Sequence, residues 1–411
     1  MTDIRWVRIV DVEYTTESDG YKQTTPIIHL FGRDTDWERH HIKVDRFLPY
    51  FAVRQSEWAE EGHRLQDDGR VLSVETTDHR GRTETAIDGE QLIRIVCREP
   101  SDVADLQEMF ADPFEADVQF PTRFLVDLCH SQWIGVDENA LKYEDKLALD
   151  HIVLPSFDGN DDGHTPPTKV PPTRICLYDI EVQQGGDGPP VVSEKGTERA
   201  ANDITAITAY DSYTMEYRLW ALIHDSWDAS DCKELRSLED EMGVPLKINL
   251  YDNPADVVSQ FVSFVVDRDF DSLCGWNADS FDHPYLINYG LNNGVYAVND
   301  LSPFGYVQQM NGDGNWINSS LKGRQLLDLM SLYDKTTVSE LDSYRLADVA
   351  DSEDISVGKL DLSDEIDVPD GVPSIDYAWQ EYPKTYGRYS IRDVQACVGI
   401  NTESKENVSI I

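Results

Sequence analysis

Three short acidic segments, each about a hundred residues from the next, constrain what this chain can fold into. Asp179 and Glu181 lie in "RICLYDIEV", Asp282 lies in "CGWNADSFDHPYL", and Tyr389 and Asp393 lie in "YSIRDVQA". A local loop cannot join residues so far apart, so only the folded chain can bring them together. Four carboxylates and a phenol in one place would suit a pair of divalent metal ions.

The charge balance narrows the setting in which the chain works. Its 411 residues contain 35 Lys and Arg against 77 Asp and Glu, which gives a formal net charge of −42. Apolar residues are interleaved with these acids, which argues against a disordered acidic tail. We interpret the excess as adaptation to high salt, because at molar salt the Debye length falls to roughly 3 Å and charge repulsion is screened. A DNA-mimicking or cation-buffering surface is the alternative.

A segment rich in Pro, Gly and Asp, "PSFDGNDDGHTPPTKVPPT", divides the chain. We therefore predict a first domain over residues 1–155, a linker over 156–173 and a second domain over 174–411. Short alternating runs predict a β-rich α+β fold for the first domain, and alternating strands and helices predict an α/β fold for the second.

We find no apolar run of transmembrane length and no basic, apolar leader, so we expect a cytoplasmic location.

The first two acidic segments each have an ordinary alternative explanation. Asp179 and Glu181 are two apart on a predicted strand and share one face, as two metal ligands would, but a solvated strand edge gives the same pattern. Asp282 could simply cap the helix that follows it. Capping leaves Asn277 and Phe281 unexplained, whereas a nucleic-acid site would use an amide to bond the strand and a ring to stack on a base.

The third segment adds a phenol to the carboxylates. Tyr389 and Asp393 are four apart in a predicted helix, so they share one face. A tyrosine hydroxyl beside a metal-bound aspartate can orient the attacking water. The oxygen-only ligand set suits two Mg²⁺ or Mn²⁺ ions, one activating water and the other stabilising the leaving 3′ oxygen, with Asp179 bridging them. We therefore predict two-metal hydrolysis of phosphodiesters.

At these residues the chain resembles the 3′–5′ proofreading exonuclease of family B DNA polymerases, in the archaeal branch. The segments "YDIEV", "NADSFD" and "YSIRD" resemble that family's D-I-E, N-x-x-x-F-D and Y-x-x-x-D motifs, in the same order. The resemblance implies an RNase H-like exonuclease domain beside a β-rich N-terminal domain. It also implies that Asp179, Glu181, Asp282 and Asp393 bind metal and that Tyr389 orients water.

Further segments extend the resemblance over nearly the whole chain. "LDSYRLADVADSEDISVGKLDL" resembles a family segment whose lysine steadies the scissile phosphate, which implies that role for Lys359; an ordinary surface lysine is the alternative. Asn277 and Phe281 would touch the single strand. "FLPYFAV" and "FEADVQFPTRFLVD" resemble the N-terminal domain, which in archaeal members senses deaminated template bases. This implies nucleic-acid contacts for Pro49 and Tyr50, although core packing explains them equally well.

The family's polymerase motifs, D-x-x-S-L-Y-P and Y-G-D-T-D, are not found in this sequence. We therefore expect the palm, fingers and thumb to be absent and no primer extension by this chain alone. The expected partners are DNA, as a single-stranded 3′ end or a primer–template, a separate polymerase-domain chain and a sliding clamp, with no membrane. Two alternatives stay open: a free-standing 3′–5′ exonuclease with the same four carboxylates and tyrosine, acting in repair or on RNA, and a non-catalytic nucleic-acid-binding subunit.

Overall fold

The chain forms two compact units, Met1–Pro172 and Thr173–Ile411. The predicted linker spans this division, and its residues 156–164 lie outside the part that the structure describes. That part of this computed structural model comprises residues 3–18, 24–78, 81–128, 132–155, 165–185, 200–307, 321–337 and 341–403.

The first unit is built from two antiparallel sheets, of order β3-β2-β1-β7-β8 and β4-β6-β5, each packed on its own apolar core. Its strands are β1 Ile4–Ser18, β2 Thr24–Asp34, β3 Arg39–Val44, β4 Tyr50–Arg54, β5 Val71–Glu75, β6 Leu92–Cys97, β7 Trp133–Asp137 and β8 Ile152–Val153. Its helices are α1 Gln55–Glu61, α2 Pro100–Gln107, α3 Phe120–Leu128 and α4 Glu138–Tyr143. The β-rich α+β fold predicted for this part of the chain is confirmed.

The described strands of the second unit form one six-stranded mixed sheet of order β12-β11-β10-β9-β13-β14. They are β9 Ile175–Val182, β10 Ile204–Asp211, β11 Glu216–Leu222, β12 Leu246–Tyr251, β13 Ser272–Gly275 and β14 Gln325–Asp328. Strands β9, β10 and β11 run antiparallel, and the other pairs run parallel. Seven of the eight residues of the central strand β9 are buried, on both faces of the sheet, which explains its nearly continuous apolar sequence.

Helices cover both faces of this sheet. They are α5 Ala229–Arg236, α6 Leu238–Glu241, α7 Pro254–Arg268, α8 Asp282–Asn292, α9 Leu329–Thr336, α10 Leu346–Ser352, α11 Leu362–Glu365, α12 Ser374–Glu381 and α13 Pro383–Glu403. On one face the ring of Tyr178 packs against Phe261 of α7, with 5.1 Å between ring centroids. Its neighbour Asp179 points to the opposite face, because successive side chains of a strand alternate. Helix α13 packs on that face, so it meets the acidic residues of β9.

Helix α7 shows how local sequence sets the ends of these elements. Asn253 caps its first turn by accepting a hydrogen bond from the Ala255 N–H, and Pro254 occupies the first helical position, where no N–H partner is needed. The helix ends at Arg268, and the next residue, Asp269, has a φ of 49° that turns the chain toward β13. Among the described residues, no helix combines the length and the hydropathy needed to cross a bilayer.

Candidate active site

Strand β9 and helix α13 bring three carboxylates together. Oxygens of Asp179, Glu181 and Asp393 all lie within 4.8 Å of one another. Asp179 and Glu181 project from the same face of β9, and Asp393 lies one helical turn after Tyr389 on α13. The structure therefore joins the first and third acidic segments of the sequence into one cluster.

The second segment reaches the same strand from β13 and α8. Asp282 is the first residue of α8, and its Oδ1 accepts a hydrogen bond from the Ile180 N–H of β9 at 3.0 Å. Helix capping, the alternative for this aspartate, is wrong, because Phe281 occupies the cap position. The close approach to β9 requires a glycine at position 275, where a Cβ would lie 2.7 Å from the Tyr178 carbonyl oxygen.

Lys359 supplies a positive charge to the cluster. Its Nζ donates a hydrogen bond to Asp393 Oδ2 at 2.6 Å and lies 5.0 Å from the centroid of the Tyr389 ring. The Lys359 side chain is 29% exposed, so this residue is part of the cluster and not an ordinary surface lysine. The resemblance implied a role for Lys359 at the phosphate, but its contact with Asp393, 34 residues away in the sequence, is seen only in the fold.

Burial of the carboxylates changes their acidity. Burial and the neighbouring negative charges raise the pKa of Asp179 and of Glu181 well above the ordinary range. Burial also raises the pKa of Asp282 to about 7, although its hydrogen bond from Ile180 opposes the change. For Asp393 burial again raises the pKa, against the opposing charge of Lys359. Without a further cation, the cluster therefore holds protons at a pH where ordinary carboxylates have lost them.

Two oxygens of the cluster lack a hydrogen-bond donor. Among the described residues, Glu181 Oε1 and Asp393 Oδ1 are buried and have no hydrogen-bond partner. A buried carboxylate oxygen without a donor is unfavourable unless a cation coordinates it. Oxygen-only ligands suit hard divalent ions such as Mg²⁺ and Mn²⁺. The residues present thus fit a divalent metal centre.

The first unit contains a second group of potential metal ligands, whose central carboxylate already has hydrogen-bond donors. Asp34, Glu38 and His40 also lie close together. Asp34 Oδ2 already accepts hydrogen bonds from Arg5 at 2.6 Å and from His40 at 2.9 Å, and its Oδ1 accepts from two backbone N–H groups. This carboxylate is satisfied within the protein, so the group forms an ion-pair network.

A cleft of about 280 Å³ opens beside the acidic cluster. Glu181, Lys359 and Tyr389 line it together with residues that the sequence did not indicate, among them Gln184 and Ser374. The predicted strand-contacting residues, Asn277 and Phe281, are half-buried in the turn before α8, and the φ of Asn277 is 57°. Asparagine tolerates this left-handed backbone better than most residues, which gives it a structural role as well.

Pro49 and Tyr50 line a different cavity, of about 170 Å³, within the first unit. The Tyr50 hydroxyl donates a hydrogen bond to Asp127 at 2.7 Å. Arg94 and Arg123 place their guanidinium groups 3.8 and 4.7 Å from the centroid of its ring. Tyr50 therefore packs into the core and borders a cavity at the same time.

The half-buried Asp179 and the buried Glu181 on a central strand, with buried Asp282 and Asp393 on two flanking helices, form a site typical of metal-binding hydrolases. The family described as "DNA polymerase family B, exonuclease domain" matches residues 111–349, more than half of the chain. The chain belongs to this family and carries its exonuclease domain, as the resemblance implied. The matched residues include Asp179, Glu181 and Asp282, while Tyr389 and Asp393 lie beyond them and reach the site through the fold.

Individual relatives agree with the family. The chain is 28% identical over 202 residues to the DNA-directed DNA polymerase of Enterobacteria phage T4, covering 46% of this chain and 22% of the relative. It is 25% identical over 305 residues to DNA polymerase 2 of Aeropyrum pernix, covering 70% of this chain and 32% of the relative. The structure of the family B DNA polymerase from Pyrobaculum calidifontis superposes with a TM-score of 0.64 and 20% identity, covering 99% of this chain and 47% of that one. The chain thus spans less than half the length of each of these proteins, and the last comparison supports the RNase H-like α/β fold.

Proposed function

We propose that this chain is the proofreading part of a family B DNA polymerase and removes nucleotides from DNA 3′ ends by two-metal hydrolysis. The observation that carries the proposal is the carboxylate cluster of Asp179, Glu181 and Asp393, with two buried oxygens that lack a donor. Family membership adds that this domain is an exonuclease. The two alternatives are a free-standing exonuclease and a non-catalytic subunit. Neither is favoured by the carboxylate cluster together with the match to a polymerase family.

The four carboxylates hold the metal ions in this proposal. Asp179 would be shared between the two ions, and Glu181, Asp282 and Asp393 would supply further oxygen ligands. When bound, Mg²⁺ or Mn²⁺ ions supply an activated water and stabilise the leaving 3′ oxygen. The raised pKa values of the metal-free cluster imply that metal binding releases protons, so metal affinity increases with pH.

Tyr389 and Lys359 act on the water and the phosphate. Burial raises the pKa of Tyr389, so its hydroxyl keeps its proton and can hold the attacking water by a hydrogen bond. Although burial disfavours the charge of Lys359, the Asp393 carboxylate raises its pKa, so the ammonium group stays charged. A charged amine beside the metal ligands can steady the scissile phosphate. Asn277 would bond the terminal strand and Phe281 would stack on a base.

The acidic composition fits a working environment rich in salt. DNA phosphates and a chain of net charge −42 repel each other at low ionic strength. We propose that the protein works at high salt, where this repulsion is screened, and that bound divalent ions offset the remaining charge at the site. As further partners we propose a polymerase domain, in the same or another polypeptide, and a sliding clamp.

For Pro49 and Tyr50 we propose a contact with a deaminated base in the template strand. The cavity that they line in the first unit, with Arg123 in its wall, supports this proposal. Tighter binding of a uracil-containing single strand than of the matching thymine strand, abolished by Pro49→Trp, is the expected result. Equal affinity for the two strands would contradict it.

The direct test of the exonuclease is a primer–template whose primer carries a 5′ label and a mismatched 3′ end, incubated with Mg²⁺ at high salt. The proposal predicts a ladder of labelled products, each one nucleotide shorter, and no reaction in EDTA. Release of the label as a mononucleotide at the earliest times, or cutting inside the strand, would contradict 3′–5′ polarity. A matched RNA primer tests the preference for DNA.

A further inference from the structure

The position of α13 along the sheet decides whether the site can form. This helix contributes Asp393 and Tyr389, whereas Asp179 and Glu181 belong to β9. Apolar contacts dominate the packing of α13 on the sheet, and such contacts have little directional preference. A shift of one residue moves a helix by about 1.5 Å along its axis, which is enough to disrupt a metal site.

One directional contact lies directly beside the carboxylates. The hydroxyl oxygens of Thr208 and Ser390 are 2.7 Å apart, and both residues are 0% exposed. Thr208 stands opposite Asp179 in the pairing of β10 with β9, and Ser390 directly follows Tyr389. Shifting the helix would leave two buried hydroxyls unpaired, each at about 1–3 kcal/mol.

A second contact lies one helical turn earlier. The Tyr386 hydroxyl donates a hydrogen bond to Thr205 Oγ1 at 2.7 Å. Thr205 Oγ1 in turn donates to the carbonyl oxygen of Glu181 at 3.1 Å. Tyr386 is four residues before Ser390, so the two contacts follow the same face of α13.

We infer that the Thr208–Ser390 pair and the Tyr386–Thr205 hydrogen bond are positioning contacts that hold α13 where its Asp393 meets the carboxylates of β9. The inference rests on the proposed function and adds four residues that touch neither substrate nor metal. Their hydroxyls have no role in the hydrolysis itself. Their effect on the site is entirely through the distance between the helix and the strand.

The test removes single hydroxyls and measures metal binding separately from turnover. Thr208→Val and Ser390→Ala each delete one partner, and Thr208→Ser keeps the hydroxyl. Ser272→Ala is the matched control, because Ser272 is also 0% exposed and its hydroxyl bonds Gln325 at 3.2 Å, at the far end of β13. Mn²⁺ binding is measured without DNA by electron paramagnetic resonance, and kcat and KM are measured on a labelled 3′ end.

We expect Thr208→Val and Ser390→Ala to weaken Mn²⁺ binding and to lower kcat, each by about 10-fold, with KM for DNA unchanged. Thr208→Ser restores both values, and Ser272→Ala lowers Tm alone. The double variant Thr208→Val with Ser390→Ala regains Tm relative to the single variants, because no hydroxyl is left unpaired, but does not regain Mn²⁺ binding. Tyr386→Phe keeps the ring and tests the second contact if Thr208→Val does not fold.

The inference is overturned if the Thr208 and Ser390 variants behave like Ser272→Ala, with a lower Tm but unchanged Mn²⁺ binding and kcat. Unchanged Mn²⁺ binding in Tyr386→Phe would likewise show that the Tyr386–Thr205 hydrogen bond does not position α13. A wild-type chain that binds Mn²⁺ but releases no nucleotide would refute the proposed exonuclease. The Mn²⁺ measurements would still decide the positioning role in that case.

Discussion

Replacing Asp282 by asparagine should stabilise the metal-free protein at alkaline pH. Burial raises the pKa of Asp282 from the ordinary 3.8 to about 7 in the folded chain. A carboxyl with a raised pKa adds stability below its unfolded pKa, and this contribution is lost as the pH rises through the folded value. Between pH 4 and pH 8, ionisation of Asp282 therefore lowers the free energy of unfolding of the wild type by on the order of 4 kcal/mol.

The asparagine variant escapes most of this loss. Its amide oxygen can still accept the hydrogen bond from the Ile180 N–H, and it carries no charge beside Asp179, Asp328 and Asp393. We expect the variant to exceed the wild type by about 2–4 kcal/mol at pH 8 in EDTA, and to match it near pH 4.

Thermal unfolding in EDTA at several pH values measures this difference. For a unit of this size the gain corresponds to roughly 5–10 °C in Tm at pH 8. Asp240→Asn, which removes one charge from an exposed position on α6, controls for the change in net charge. Saturating Mg²⁺ should reverse the order, because only the wild type keeps all its ligands. A Tm difference between variant and wild type that is the same at pH 5 and pH 8 would refute the reasoning.

Three further predictions concern the surroundings of the site and the whole chain. Gly275→Ala places a Cβ 2.7 Å from the Tyr178 carbonyl oxygen, so kcat should fall and the free energy of unfolding should drop by about 1–3 kcal/mol. Gly69→Ala is the control, because nothing lies within 4 Å of a Cβ at that position. Equal stability of the two variants would contradict the strained contact. Lys359→Met leaves the Asp393 carboxylate buried without its cation, so Tm in EDTA should fall, and Mg²⁺ should restore Tm but not kcat. Lys247→Met, at an exposed position, is the control. Full recovery of kcat in Lys359→Met would show that Lys359 has no part in the mechanism. Raising KCl from about 0.1 to about 2 M should raise the Tm of the wild type by screening its net charge, and a constant or falling Tm would contradict adaptation to salt.

The strand and helix that carry the site are predictable because their sequences are unambiguous. Strand β9 is an apolar run with two acids at alternate positions near its end, and α13 has a long helical pattern with Tyr389 and Asp393 one turn apart. The sequence does not predict strands β12 and β14, which acquire their structure from parallel pairing with β11 and β13. Such pairing depends on distant residues and not on local sequence.

Within the site, too, the sequence predicts some features and leaves open those that depend on distant residues. Sequence indicates which carboxylates belong together, but it does not distinguish Asp282 as a helix cap from Asp282 as a partner of β9. It likewise leaves Lys359 between a surface residue and a member of the cluster. The Thr208–Ser390 pair gives no signal at all, since a serine and a threonine 182 residues apart become partners only when α13 packs on the sheet.

The most direct test of the account is the rate of 3′-nucleotide release by Asp179→Asn beside the wild type, at saturating Mg²⁺ and with both proteins shown to be folded by their thermal transitions. Because Asp179 lies at the centre of the cluster and is the proposed bridge between the two ions, we predict a loss of at least about 1,000-fold, equivalent to roughly 4 kcal/mol of transition-state stabilisation. Release of nucleotides by the variant at a rate close to that of the wild type would show that the reaction takes place elsewhere.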